Sequence, residues 1–123
     1  MEVSGAAAQL ADDRRLDEER AEVWALALEL HAQVTHAVAG VASAGPLREE
    51  AARAALGAAA WIAEASGRPS GFERRHFLLT ARAAVLETAE LLDRLRVRRL
   101  LADEDHRAAR RTIVALLAHL APG

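Results

Sequence analysis

The chain contains no cysteine, which excludes disulfide bonds, thiolate metal ligands and a cysteine nucleophile. Aromatic residues are also scarce, with two tryptophans, two phenylalanines and no tyrosine. The apolar runs are short and are interrupted by arginine or glutamate, so none reaches the roughly 18 residues that a membrane-spanning helix needs. Residues 1–13 lack the basic start and the apolar middle of a signal peptide. These absences predict a cytoplasmic protein without a membrane partner.

Lysine is missing as well, so all 16 strongly basic side chains are arginine. The formal net charge is only −2, which gives the chain no overall electrostatic attraction to nucleic acid or acidic lipid. What the sequence has in abundance is alanine and leucine, two residues of high helix propensity, whereas strand-forming residues are sparse. In a chain of 123 residues this composition predicts one all-α domain.

Apolar residues recur at helical spacing in four segments. We expect the first helix to begin at Asp12 or Asp13, either of which can cap it, and to end near residues 40–45. Residues 1–11 are expected to be frayed or disordered, which leaves residues 12–123 as a single four-helix-bundle domain. The predicted inner face of the first helix comprises Leu16, Val23, Trp24, Ala27, Leu28, Leu30, Val34, Ala37, Val38 and Val41.

Three more helices follow at short intervals. Pro46 suits the first turn of the second helix, and Asp103 is the expected cap of the fourth. Ser70 and Glu73 have the spacing of a reciprocal capping box at the start of the third helix. Four helices with short connections predict an antiparallel up-down-up-down bundle. The predicted inner positions of these helices are Leu47, Ala51, Ala54 or Ala55, Ala58, Ile62 and Ala65; Phe77, Leu78, Ala81, Ala84, Val85, Thr88, Leu91, Leu92 and Leu95; and Ala109, Ile113, Leu116 and Leu120.

The segment "WIAEASGRPSGFERRHFLL", residues 61–79, resembles the central signature of the four-helix-bundle proteins encoded in intervening sequences of bacterial 23S ribosomal RNA genes. The stretch "EVWALALELHAQV" in the first helix and Glu87 in the third are also similar to that family. The departures are Ala59, Trp61, Ala65 and Arg99, where the family has proline, asparagine, glycine and glycine. The residues that match in register are Ile62, Ala63, Glu64, Arg68, Ser70, Glu73, Phe77 and Leu78.

This resemblance implies a left-handed antiparallel bundle that assembles into a homo-oligomeric ring, notably a pentamer, with no known enzyme activity. One branch of the family consists of accessory proteins of diversity-generating retroelements. Members of that branch bind nucleic acid and a reverse transcriptase through a strongly basic surface. The present chain lacks such an overall basic character.

Two pairs have the Glu-x-x-His type of spacing that di-iron bundles use, namely Glu73 with His76 and, more weakly, Asp103 with His106. Both pairs begin helices that are consecutive and antiparallel, so they lie at opposite ends of a bundle roughly 35–40 Å long. They therefore cannot share a metal ion within one subunit. No serine or threonine has a base placed near it by spacing. We expect no catalytic residue, no metal and no cofactor.

The polar cluster of residues 61–73 is expected to be a structural corner. Glu64 and Glu87 are the polar residues nearest to the inner faces of the second and third helices, and we expect them to pair with Arg68 and Arg82. Together with the capping box, these pairs predict a corner between two helices and not an active site.

The sequence predicts a non-enzymatic, self-assembling structural or protein-interaction module. Trp24 and Trp61 are its candidate interface residues, and filling of the core is the other interpretation of both. The alternative function is an accessory protein that binds nucleic acid with an arginine-rich rim at the third connection. Against that alternative, the same arginines can pair with nearby aspartates and glutamates. The rim residues are Arg94, Arg96, Arg98, Arg99, Arg107, Arg110 and Arg111.

Overall fold

The computed structural model describes residues 2–40 and 45–120 of the chain. These residues form four α-helices and contain no strand, which confirms the all-α prediction. Within the same ranges, no helix combines the length and the apolar character that crossing a membrane requires. The helices are α1 (Glu2–Val38), α2 (Pro46–Ser66), α3 (Gly71–Val97) and α4 (Asp103–His119).

The first helix starts earlier than the sequence predicts. It runs without a break from Glu2, so residues 2–11 are helical and neither Asp12 nor Asp13 caps the helix. Inside the helix, the Asp12 carboxylate instead accepts a hydrogen bond from Arg15 at 2.7 Å. The alanines before residue 12 have high helix propensity but form no apolar stripe, so periodicity does not reveal them. The domain boundary at residue 12 stays a prediction.

Among the described side chains, the buried residues of α1 all lie in its second half. Every side chain from Gly5 to Glu22 is exposed, and the buried positions begin at Val23. At about 1.5 Å per residue, α1 is roughly 55 Å long and α4 roughly 25 Å. Residues 5–15 therefore extend past the other helices, and we call them the α1 extension.

Three residues predicted on the inner face of α1 are exposed instead. Leu16 has the correct helical phase but precedes Val23, the first buried residue of the helix. Trp24 and Leu28 each follow a buried residue, Val23 and Ala27, and are rotated by about 100° from it. They consequently lie at the edge of the buried stripe and not within it.

The core is built on the alanine stripe of α2. Because little more than methyl groups separates α2 from its neighbours, the helix backbones approach closely, and α2 and α3 make the most extensive contact in the molecule. The predicted inner positions of α2, α3 and α4 are all buried or half-buried. Val41, also predicted to face inward, lies outside the described residues. The buried residues of α2 are Ala51, Ala54, Ala55, Ala58, Ala59, Ile62 and Ala65.

The four helices contact one another in a closed ring. α1 packs against α2 and α4, and α3 packs against the same two helices. Only weaker contacts join α1 to α3 and α2 to α4. Each helix thus has two neighbours, and the apolar stripes meet in the middle.

The connection between α3 and α4 is a tight turn closed by an arginine. The N–H groups of Arg99 and Leu100 donate back to carbonyl groups in the last turn of α3, each at 2.9 Å. This Schellman pattern places Arg99 in the left-handed region, with φ 59°. The next helix has Ala102 at its N-cap and no side-chain cap bond, so the prediction that Asp103 caps α4 is wrong.

Candidate interaction surfaces

The corner between α2 and α3 holds most of the polar residues that the sequence predicts as structural. Ser70 is the N-cap of α3, and its Oγ accepts a hydrogen bond from the N–H of Glu73 at 3.4 Å. The Glu73 side chain is exposed and makes no hydrogen bond back to Ser70 within the described residues. The cap is therefore formed from one side only.

Arg68 joins the end of α2 to α3 through three contacts. Its guanidinium donates to Glu64 Oε2 at 2.9 Å and lies 4.8 Å from the ring centroid of Phe77. Its carbonyl oxygen accepts a hydrogen bond from Arg74 Nη2 at 3.0 Å. Phe77 also stacks on Trp61, with ring centroids 5.5 Å apart and planes inclined by 18°. Since the ion pair is partly exposed and worth little, the ring stack and the cation–π contact contribute most to the rigidity of this corner.

The second predicted ion pair is not formed. Glu87 is exposed and makes no ion pair with any described residue. Arg82 is half-buried, and its Nε is enclosed without an acceptor in the described part of the chain. The two residues are five positions apart, whereas side chains meet on a helix at three or four positions. Of the two predicted ion pairs, only the pair of Glu64 and Arg68 is therefore formed in the described chain.

The contacts of α1 show which of its edges adjoins α2. Glu19 and Glu22 approach the two ring nitrogens of His119 in α4, at 3.4 and 3.5 Å. These glutamates mark the edge of α1 that adjoins α4. Trp24 and Leu28 lie on the opposite edge, beside α2, because each residue is rotated by about 100° from the one before it. Both side chains are partly exposed, at 41% and 45%.

The surface of α2 beside these residues is also apolar. The stack of Trp61 on α3 marks one edge of α2, and Leu56, which is 55% exposed, lies toward the other edge. From residue 51 to residue 63, Arg53 is the one charged side chain of α2. The apolar character of α2 therefore continues from its inner to its outer side. We call the exposed set formed by Trp24, Leu28, Leu56, Ala60 and Ala63 the α1–α2 face.

The arginines around the α3–α4 connection are only partly neutralised. Arg94 pairs with Glu90 at 2.8 Å, and Arg96 pairs with Asp103 at 3.3 Å. Of Asp93, Asp103, Glu104 and Asp105, Asp103 is the one that pairs with an arginine in the described chain. The rim arginines that are exposed and have no ion pair with any described residue are Arg98, Arg99, Arg107, Arg110 and Arg111.

Four of the seven rim arginines line two concavities. Arg96 and Arg110 line one of them, and Arg94 and Arg98 line the other. Asp93 lines both and reduces the positive charge of each. No aromatic side chain lines either concavity. The rim therefore offers phosphate contacts without a surface on which a base could stack.

A buried histidine joins α3 to α4, and the sequence does not predict this link. His106 is 3% exposed, and its Nε2–H donates to Asp93 Oδ1 at 2.7 Å. Its Nδ1 is also buried, without a partner among the described residues. One signal was present, since His106 has the helical phase of the inner residues Ala109 and Ile113.

The described residues contain no group of three or more His, Cys, Asp or Glu side chains arranged to hold a metal ion. Of the two predicted Glu-x-x-His type pairs, His106 is bonded to Asp93, and His76 lies edge-on to Phe77 with ring centroids 5.4 Å apart. The histidines thus contact Asp93 and Phe77, and not Asp103 and Glu73, the acidic residues three positions before them in the sequence.

No protein-family model and no curated protein matches this chain. The resemblance of residues 61–79 to the intervening-sequence family therefore stays a prediction. The structure does give the matching residues a shared role: Ile62 is buried, Phe77 stacks at the corner, and Arg68 ties the corner together.

Proposed function

We propose that the chain is a non-enzymatic module that assembles with copies of itself through the α1–α2 face. The observation that carries this proposal is the middle of α2, residues 51–63, whose outer side carries Arg53 as its one charged side chain. A helix that is apolar all round is normally covered all round. Exposed apolar surface with charged residues at its margin, here Arg20 and Arg53, has the composition of a protein interface.

A second copy of the chain is the partner that this face favours. The face presents no charge at its centre that could select a charged ligand, and its largest features are Trp24 and Leu56. Trp61 lies on the other edge of α2, so each molecule has two different apolar edges. A ring of more than two copies needs two different surfaces on each subunit, whereas a two-fold dimer needs one. Two edges favour a ring, and the family resemblance favours a pentamer.

We further infer an antiparallel up-down-up-down order of the helices. Support comes from one cavity, which is lined by Leu16 in α1, Ser66 at the end of α2, Arg74 near the start of α3 and His119 at the end of α4. The end of α2, the start of α3 and the end of α4 thus meet at one level beside the first half of α1, which agrees with helices that alternate in direction. The left-handed twist rests on the resemblance, and the proposed cytoplasmic location rests on the sequence features described above.

The mass of the protein in solution tests this function. Light scattering coupled to gel filtration should give a multiple of the 13.2 kDa of one chain, and five times that mass for a pentamer. Leu56→Arg should reduce the mass to that of one chain, because it places an unpaired charge in the centre of the face. Val97→Arg is the matched control, since Val97 is exposed but lies at the end of α3. A wild-type mass of one chain at every concentration would contradict the proposal.

Nucleic-acid binding at the α3–α4 connection is the second candidate, and the exposed arginines without ion pairs favour it. Its test is the fluorescence anisotropy of labelled RNA or single-stranded DNA at low salt, where phosphate contacts are strongest. The double variant Arg98→Ala with Arg111→Ala should then weaken binding. Anisotropy that does not change on adding wild-type protein at low salt excludes this candidate.

A further inference from the structure

A cavity of about 170 Å³ lies where all four helices meet, beside the α1 extension. Its floor is apolar and is formed by Val23 of α1, Ile62 of α2, Leu78 of α3 and Leu120, which directly follows α4. An apolar cavity of roughly 150 Å³ is large enough to hold benzene. We call this space the four-helix cavity. It does not include any residue of the α1–α2 face.

One cation in the wall of the four-helix cavity lacks an anionic partner. Arg74 is half-buried, and its Nη2 donates to the carbonyl oxygen of Arg68. Its Nε is buried and has no acceptor among the described residues. No described carboxylate lies within the 4.0 Å ion-pair distance of this guanidinium. An enclosed N–H without an acceptor costs free energy, and a guanidinium binds a carboxylate through two parallel hydrogen bonds.

The other charged residues at the rim already have partners. Glu19 lies 3.4 Å from His119, and Arg20 lies 3.7 Å from Asp17. The carboxylate nearest to the cavity therefore faces the histidine and does not compensate Arg74. The wall thus combines an apolar floor with a single uncompensated cation.

We propose that the four-helix cavity binds a small monocarboxylate, with its apolar part on Ile62 and Leu120 and its carboxylate on Arg74. The volume fits one aromatic ring or a short branched chain. Inorganic anions would pair with Arg74 but would leave the apolar floor uncovered. Neutral apolar molecules would fill the floor but would leave the Nε–H without an acceptor. Affinity should therefore need both parts of the ligand.

Benzoate is the probe for this site, with benzamide as the uncharged molecule of the same shape. Titration followed by two-dimensional amide NMR should give saturable shifts at Ile62, Ala65 and Leu78, which line the cavity. Benzamide should bind about tenfold or more weakly, because it cannot form the charge-assisted pair. Equal affinity for the two probes, or shifts confined to other residues, would overturn the proposal.

Variants of two arginines separate binding in the cavity from a general effect of positive charge. Arg74→Met keeps much of the side-chain volume and should weaken benzoate by about tenfold or more. Arg82→Met is the matched control, since Arg82 is also half-buried with an enclosed Nε but does not line the cavity. Arg74→Lys, which keeps the charge but not the paired donors, should fall between wild type and Arg74→Met. Equal weakening by Arg74→Met and Arg82→Met, or no benzoate binding by the folded wild type, would contradict the assignment.

Discussion

Arg99 occupies a backbone conformation that glycine adopts with the least strain. At φ 59° a side chain costs roughly 1–2 kcal/mol, and the resemblance places a glycine at this position. Arg99→Gly should therefore raise the free energy of unfolding, by about 1 kcal/mol, in urea denaturation followed by circular dichroism. Arg98→Gly is the control, because Arg98 has a φ of −80° and gains nothing from glycine. A loss of stability in Arg99→Gly would show that this turn has another conformation in solution.

The pair of His106 and Asp93 makes a second prediction at the scale of single residues. Asp93→Ala leaves the buried Nε2–H without its acceptor, next to a second ring nitrogen that already lacks one. The free energy of unfolding should fall by about 1–3 kcal/mol. Glu87→Ala removes an exposed carboxylate from the same helix and should have almost no effect. If both variants lose the same stability in the same denaturation assay, the link between α3 and α4 is not important.

Sequence patterns locate individual side chains only when their partners are near in the chain. The pair Glu64–Arg68 and the cap of Ser70 were predictable because spacings of three and four residues define them. The partner of His106 is thirteen positions away across a turn, so no local spacing points to it. Arg74 was not predictable either, since the lack of a partner becomes visible only when all four helices are placed.

At the scale of helices, Gly57 lowers the stability of α2, because glycine in the interior of a helix is less favourable than alanine. A Cβ at this position would have no atom within 4 Å, so the packing of one chain does not require glycine there. Gly57→Ala should stabilise the single chain by about 0.5–1 kcal/mol, measured by thermal or urea unfolding in the Leu56→Arg background. Gly45→Ala should destabilise, because Gly45 has φ 55° at the N-cap of α2. No gain from Gly57→Ala would mean that this part of α2 is already covered.

The helices themselves were largely predictable, but the start of α1 and the cap of α4 were not. The stripe of α2 was correct because helical periodicity alone defines which alanines face inward. The start of α1 was wrong because a helix that packs against nothing leaves no periodic pattern. Trp24 and Leu28 were predicted inside because they are apolar, yet the buried stripe of α1 is narrower than its apolar surface. That excess of apolar surface is the basis of the proposed assembly.

At the scale of the whole molecule, self-assembly should couple stability to concentration. Only folded chains associate with one another, so association stabilises the folded state. The midpoint of thermal unfolding should therefore rise with protein concentration. A hundredfold increase corresponds to about 2.7 kcal/mol in the ideal case of a single binding step. Leu56→Arg should make the midpoint independent of concentration. In Val97→Arg the midpoint should still rise with concentration, as in the wild type. A wild-type midpoint that does not change with concentration would contradict coupled assembly.

The α1 extension has a geometric consequence for anything joined to it. α1 is one uninterrupted helix from Glu2 to Val38, and its second half is anchored in the core by Leu30 and Val34. We therefore expect the extension to behave as a rigid helix and not as a flexible linker. Its direction should be set by the packing of the second half of α1 in the core. A pair of spin labels at residues 10 and 94 should accordingly report one narrow distance distribution. A protein fused to residue 2 through a helical linker would be held at a defined angle to the rest of the molecule.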